Sequence, residues 1–196
     1  MEKFSAERYT DSEAGQRLLK LLMRDDVYAG MVLDYEDYCE IVPEARELVG
    51  FDQHNPHHPY DVWVHTAHCV ACIEPDPVLR LAMLMHDLGK PSTFYFTEDV
   101  VGHFNRHEAK GEKLTRERLS ELGFNEEVIE TIAFLVRNHD KGIAETELGR
   151  LLTEYGEKKL RLLLDVKEAD ARSHDAKYKK LQLARVTTLR RILNES

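Results

Sequence analysis

The sequence predicts an all-α fold, a compact helical bundle with one small β-hairpin. Three observations lead there. Apolar residues recur at helical spacing in stretch after stretch, each bounded by a capping residue or a Gly/Pro stop. Leu79 to Met85 is an almost unbroken apolar run poor in β-branched residues, as a buried helix requires. Only Thr93 to Phe104, aromatic and β-branched residues around the polar Glu98-Asp99, reads as a pair of strands.

Taken in order, residues 6–25 set Leu18, Leu19, Leu21, Leu22 and Met23 in a charged background, an amphipathic first helix. A weaker helix is expected from Val27 to about Glu40, and Pro43 opens a short helix or turn. Gly50 to Pro59 is a proline-punctuated polar loop holding His54, His57 and His58. Asp61 caps a helix containing His65, and after Pro75 and Pro77 comes the apolar helix, with His86 and Asp87 in its last turn. Gly89, free to turn left-handed, and Pro91 should stop it. Asn105 caps a helix from Arg106 to Leu122, and Asn125 caps one that ends at Asn138-His139-Asp140. Helical patterns follow at 148–155, 157–173 and 177–193.

With 196 residues, 42% of them hydrophobic, the chain is read as one domain able to bury a real core. Lys plus Arg number 27 against 36 Asp plus Glu, a net charge of −9. That balance argues against bulk nucleic-acid binding but leaves small nucleotides open if a metal supplies positive charge. No stretch is long enough to span a membrane and Met1-Glu2-Lys3-Phe4-Ser5 carries no signal-peptide pattern, so a cytoplasmic protein is expected. Cys39, Cys69 and Cys72 form no disulfide framework. Cys69-Val70-Ala71-Cys72 lies inside a helical pattern without a second pair, and both are expected to be buried packing residues. Glu36, Asp76 and Asp99 read as surface charge, and His68 and His174 as packing or solvent-facing.

His65, His86 and Asp87, His107, His139 and Asp170 fall on different predicted helices, apart from the adjacent pair. Helices packed around the His86 helix can aim one such side chain each at a common point, as bundle metal sites do. Imidazole and carboxylate donors favour one or two divalent transition metals, manganese, iron, nickel or zinc. The order of these residues resembles the HD superfamily of metal-dependent phosphohydrolases. More narrowly it is similar to the HD domain of bacterial CCA-adding tRNA nucleotidyltransferases. Gly50-Phe51-Asp52-Gln53, Asn55-Pro56-His57-His58, Tyr60-Asp61-Val62-Trp63, His65-Thr66, His86-Asp87-Leu88-Gly89-Lys90-Pro91, Gly102-His103-Phe104, His107-Glu108, Gly111, Leu135-Val136-Arg137-Asn138-His139 and Ala169-Asp170-Ala171 carry the likeness. It covers about residues 45–175, leaving 1–44 as N-terminal helices and 176–196 as a C-terminal helix. Nothing ahead of the first helix resembles a nucleotidyltransferase palm, so CCA addition is not expected.

The resemblance implies that His65, His86, Asp87 and Asp170 bind a first metal and that His107 and His139 complete a second, with Asp87 bridging. It implies hydrolysis of a phosphomonoester or cyclic phosphodiester, of a nucleotide, by a metal-activated hydroxide. Asp87 would orient the hydroxide. Lys90 would clamp a phosphate oxygen or else complement the helix C-terminus. His103, Arg106 and Arg137 are candidates for the phosphate pocket, and His58 for its rim. A di-iron oxygenase on the same ligands is the rival enzyme. A non-catalytic sensor or RNA-associated module is the rival without chemistry, against which six intact ligand positions weigh.

Overall fold

Eleven α-helices and one two-stranded antiparallel sheet make up the computed structural model, which describes residues 4–98 and 100–195. Asp99, expected as surface charge, and Met1–Lys3 of the N-terminal pattern lie outside the described residues. No helix among those described is long and apolar enough to cross a membrane.

The predicted first helix is a 3-10 turn, Ala6–Arg8, followed by α1, Glu13–Leu22. The break has a local cause: the Thr10 and Ser12 hydroxyls both donate to the carbonyl of Leu122, at 2.6 and 2.7 Å, which pins this entry to a distant helix end. Ser12 Oγ also accepts from the Gly15 amide and so caps α1. The expected second helix is two, α2 (Val27–Leu33) and α3 (Tyr35–Ile41), divided at Asp34. Pro43–Leu48 is a 3-10 helix.

Helix α4, Val62–Cys72, begins where Asp61 Oδ1 accepts from the Val64 amide at 2.8 Å. Asp76, expected as plain surface charge, caps α5 (Pro77–Met85) by accepting from the Val78 and Leu79 amides. Each such cap contributes about 1 kcal/mol. Glu36 does lie at the surface, in a bidentate pair with Arg46. Helix α5 is buried along its length and packs against α1, α4, α8 and α10, so it forms the axis of the bundle. Its one charged residue, Arg80, is buried and gives Nη1 to the Leu22 and Arg24 carbonyls.

Helix α5 ends one residue before His86, and Gly89 is not left-handed: its φ is −78°. The reason for glycine is proximity. A Cβ there would stand 2.1 Å from the His107 carbonyl oxygen, so only glycine lets the next long helix lie this close. Pro91 does not stop a helix but falls inside a short one, α6, Lys90–Thr93. The hairpin follows, β1 Phe94–Phe96 paired with β2 Gly102–Phe104, Tyr95 opposite His103.

Helix α7 runs His107–Glu121 and starts one residue later than expected. Arg106, not Asn105, holds its N-cap position, in the left-handed region at φ 64°. Helix α8, Glu126–Asn138, is capped by Asn125, and α9 (Leu148–Tyr155), α10 (Glu157–Arg172) and α11 (Ala176–Glu195) complete the chain. A smaller apolar cluster, Leu148, Leu160, Leu164, Val186, Leu189 and Leu193, joins these last three helices.

Candidate metal centre

The six predicted ligands meet at one point. Asp87, 1% exposed, is its centre, and each carboxylate oxygen faces a different set of rings. Around Oδ2 lie His86 Nε2 at 3.1 Å and His65 Nε2 at 3.5 Å, with Asp170 Oδ1 3.1 Å beyond His65. Around Oδ1 lie His107 Nε2 and His139 Nε2, each at 3.7 Å. Thus α4, α10 and the end of α5 build one side, and α7 and the end of α8 build the other.

Local backbone geometry aims these rings. His86 Nδ1 lies 2.6 Å from the Met83 carbonyl, His107 Nδ1 2.8 Å from Phe104 O, and His139 Nδ1 2.7 Å from Val136 O. A carbonyl only accepts, so in each neutral ring the proton sits on Nδ1 and Nε2 keeps a lone pair. Two of those lone pairs, of His107 and His139, face each other at 3.2 Å. His65 and His86 approach through the same atoms at 3.4 Å. Both Asp87 oxygens are buried without a hydrogen bond of good geometry, and His65 Nδ1 has no partner. A cluster of buried acceptors with so few donors calls for positive charge at its centre, and a divalent metal fits it.

Lys90 and the neighbouring imidazoles set the charge balance among these side chains. Burial alone would raise the Asp87 carboxyl, but the His86 imidazole and the Lys90 ammonium outweigh it and hold the pKa well below the usual range. For Asp170, burial is likewise overcome, here by His174 and His65. Burial pushes His65 and His139 down, His139 far down because His107 and His86 add like charge. His86 goes the other way, since Asp87 beside it outweighs burial.

Lys90 does not project past a helix end. It is 5% exposed, with Nζ 2.7 Å from Asp87 Oδ2, 2.8 Å from Gln53 Oε1, and over the Phe104 ring. Gln53 is held in turn by donating to the Tyr60 carbonyl, while Gly102 packs so near that a Cβ would stand 2.2 Å from the Gln53 carbonyl oxygen. A cavity of about 240 Å³ opens in front of Asp87, and Lys90, His58, His103, His107, His139 and Asp170 are on its wall. Burial pushes His58 down to about 2, a ring that stays neutral. Arg106 and Arg137 are not on that wall. Arg106 is exposed, and its neighbour Asn105 lines the cavity instead. Arg137 reaches across to α7, where Nη1 pairs with Glu108 at 3.1 Å and Nε lies 3.6 Å from Glu112.

Several residues at the site were not singled out from sequence. His174, expected to pack or face solvent, is buried, gives Nδ1 to the Asp170 carbonyl at 2.8 Å and lines the cavity with Tyr178. The two cysteines part company: Cys69 is buried beside His65, whereas Cys72 is exposed, since it falls in the last turn of α4. Lys167 ties down the end of α8, giving Nζ to the His139 and Lys141 carbonyls at 2.6 Å each, and burial lowers its pKa to about 8. A second cleft of about 650 Å³, between the end of α8 and α11, shares His139, Asp140, Asp170 and Tyr178 with the cavity.

A family model described as the HD domain matches residues 57–175, which hold all six residues of this cluster. The chain belongs to the HD-domain family. HD domains bind divalent metals and form a superfamily of metal-dependent phosphohydrolases. Among curated proteins, this HD domain is 40% identical over 105 residues to a CC-adding tRNA nucleotidyltransferase of Thermus thermophilus. It is 36% identical over 104 residues to an A-adding tRNA nucleotidyltransferase of Deinococcus radiodurans. Each match covers 50% of this chain and 24% of the relative. A multifunctional CCA protein of Cupriavidus taiwanensis is 32% identical over 57% of this chain and 27% of its own. The chain therefore spans about a quarter of the length of the curated relatives it matches.

Proposed function

We propose that this HD domain is a hydrolase of a small phosphorylated substrate, a phosphomonoester or cyclic phosphodiester of a nucleotide, working through one or two divalent transition metals. One observation carries the proposal: Asp87 turns its two buried oxygens to two separate pairs of histidines, as a carboxylate bridging two ions must. His65, His86, Asp87 and Asp170 would hold the first ion; His107 and His139, sharing Asp87, the second. Bound there, the metal would supply Lewis acidity, activating water near neutral pH and polarising the phosphoryl group.

The chain's own residues bind and orient. Carbonyl bonds at Nδ1 keep His86, His107 and His139 turned inward, so the site is assembled before substrate arrives. Lys90, held by Gln53, stands on the cavity wall as a point charge for a non-bridging phosphate oxygen, with His103 and Asn105 beside it. The organic part of the substrate is assigned to the adjoining cleft, where Tyr178 offers a ring for stacking and Gln182 and Arg185 offer polar contacts. Arg185 makes no ion pair among the described residues, which leaves it available. Free cysteines suit a reducing compartment, and the proposed setting is the cytoplasm. The adding activities in the relatives' names belong to much longer proteins and are not carried over.

Elemental analysis of chelator-free protein, joined to a phosphatase screen over nucleotides and cyclic nucleotides, tests the proposal. Bound transition metal and phosphate release, both lost in His86→Ala, are expected. Metal-free protein, or release that survives in His86→Ala, overturns it.

A further inference from the structure

Cys69 stands four residues after His65 on α4, one turn on and on the same face. Its sulfur is buried, 3.6 Å from His65 Nε2 and 3.3 Å from the hydroxyl of Ser173, the residue that follows α10. The donor atoms of His65, Cys69, His86 and Asp170 all lie within 4.8 Å of one another. A tetrahedral ion with bonds of ~2.05 Å to nitrogen and ~2.3 Å to sulfur sets edges of roughly 3.3 Å between nitrogens and roughly 3.6 Å between nitrogen and sulfur. The observed His65–His86 and His65–Cys69 separations are 3.4 and 3.6 Å. Asp87 Oδ2 stays beside the same donors, 3.1 Å from His86 Nε2 and 3.5 Å from His65 Nε2, so a sulfur ligand would add to the carboxylate and not replace it.

We propose that Cys69 is a further, thiolate ligand of the ion that His65, His86, Asp87 and Asp170 would hold. The inference rests on the metal-centre proposal above and gives that side a preference of its own. A soft sulfur donor favours zinc and other thiophilic ions over manganese or magnesium, whereas among the described residues the group of His86, Asp87 and His139 holds no sulfur. As the ion enters, the S–H bond breaks, its electron pair goes to the metal and the proton leaves to buffer. Ser173, now facing a thiolate, turns its hydroxyl to donate a hydrogen bond to the sulfur, keeping its own proton.

Cobalt(II) alone, added to the metal-stripped full chain, reads the ligand directly. Wild type is expected to show visible ligand-field bands together with an intense near-ultraviolet sulfur-to-cobalt charge-transfer band. Cys72→Ser keeps that band, and Cys69→Ser loses it while retaining the ligand-field bands. In competition between zinc and manganese, Cys69→Ser should shift the preference toward manganese at least tenfold. Ligand-field bands without charge transfer in wild type, or a band unchanged in Cys69→Ser, overturn the assignment and leave the metal centre standing. Wild-type protein that binds no cobalt overturns both. Should Cys69→Ser not fold, a wild-type spectrum without the band still overturns the assignment, and a band that survives in Cys72→Ser and Cys39→Ser supports it.

Discussion

The two sides of Asp87 are built differently. On the Oδ2 side, His65, His86 and Asp170 come from helices packed around α5, with Cys69 behind them. On the Oδ1 side, among the described residues, His107 and His139 approach, from a helix start and a helix end, and both line the open cavity, which from the other side Asp170 alone of those three reaches. With Cys69 as proposed, the first side would fill an ion's coordination from the chain alone, and the second would leave positions for water and phosphate. That is the difference between a closed structural metal site and an open catalytic one. Within a single cluster, one ion would be held for position and the other for exchange with substrate.

Removing the shared carboxylate is the severest way to break this comparison. Asp87→Ala should lose both ions and lower kcat by at least about 1,000-fold, ~4 kcal/mol. Single-side variants should then separate: His107→Ala or His139→Ala keeps about one ion, while His86→Ala loses the first and drops the melting temperature further. Elemental analysis showing that His107→Ala empties both sides would refute two distinct sites.

Lys90→Ala should keep its metal but lose hydrolysis, with kcat falling at least as much as KM rises, a factor of ten for roughly each 1.4 kcal/mol. Lys90→Arg restores part of the rate. Because the Lys90–Asp87 pair is buried, the metal-free alanine variant should also lose about 3 kcal/mol of stability, and added metal should recover most of it. Denaturation with and without metal checks this; equal losses would make Lys90 a purely structural partner of Asp87.

Gly89→Ala sharpens the contrast between sides, since its Cβ would collide with the backbone that carries His107 and not with α4 or α10. A loss of about 1–3 kcal/mol is expected, with the second ion weakened and the first retained. Isothermal titration reporting two equally weakened ions would contradict the placement of strain.

The smallest effect is in pH. Without metal, His65 and His139 have pKa values depressed by burial, so their stability is fully present above the unfolded value near 6.5 and is lost as pH falls toward their folded values. His86, raised, contributes below about 6.5 and loses that contribution as pH rises through its folded value. With His58 and His68 also lowered, the depressed histidines outweigh the one raised, so calorimetry should show the stability of the metal-free protein falling between about pH 6.5 and 5, by at most ~1.4 kcal/mol per pH unit for each net proton. His139→Gln flattens the slope. Asp87 and Asp170, both lowered, contribute only to losses at more acid pH.

Sequence alone determined what is encoded within one helical turn and what is encoded in residue order. Asp61 and Asn125 cap where their spacing says, because the accepting oxygen and the amide it satisfies are three residues apart. The six candidate ligands were legible as an ordered set, and their convergence follows from the bundle. Tertiary structure decided everything that depends on residues distant in the chain. Arg137 was a fair phosphate candidate until Glu108, 29 residues away, took its guanidinium. Gly89 looked like a helix stop because the carbonyl it makes room for belongs to another helix. Cys69 and Cys72 share a motif, yet only packing against α10 brings Ser173 and Asp170 to one sulfur and leaves the other exposed. Which Asp87 oxygen each histidine faces was likewise set by packing, because residue order carries no information about the two faces of a carboxylate.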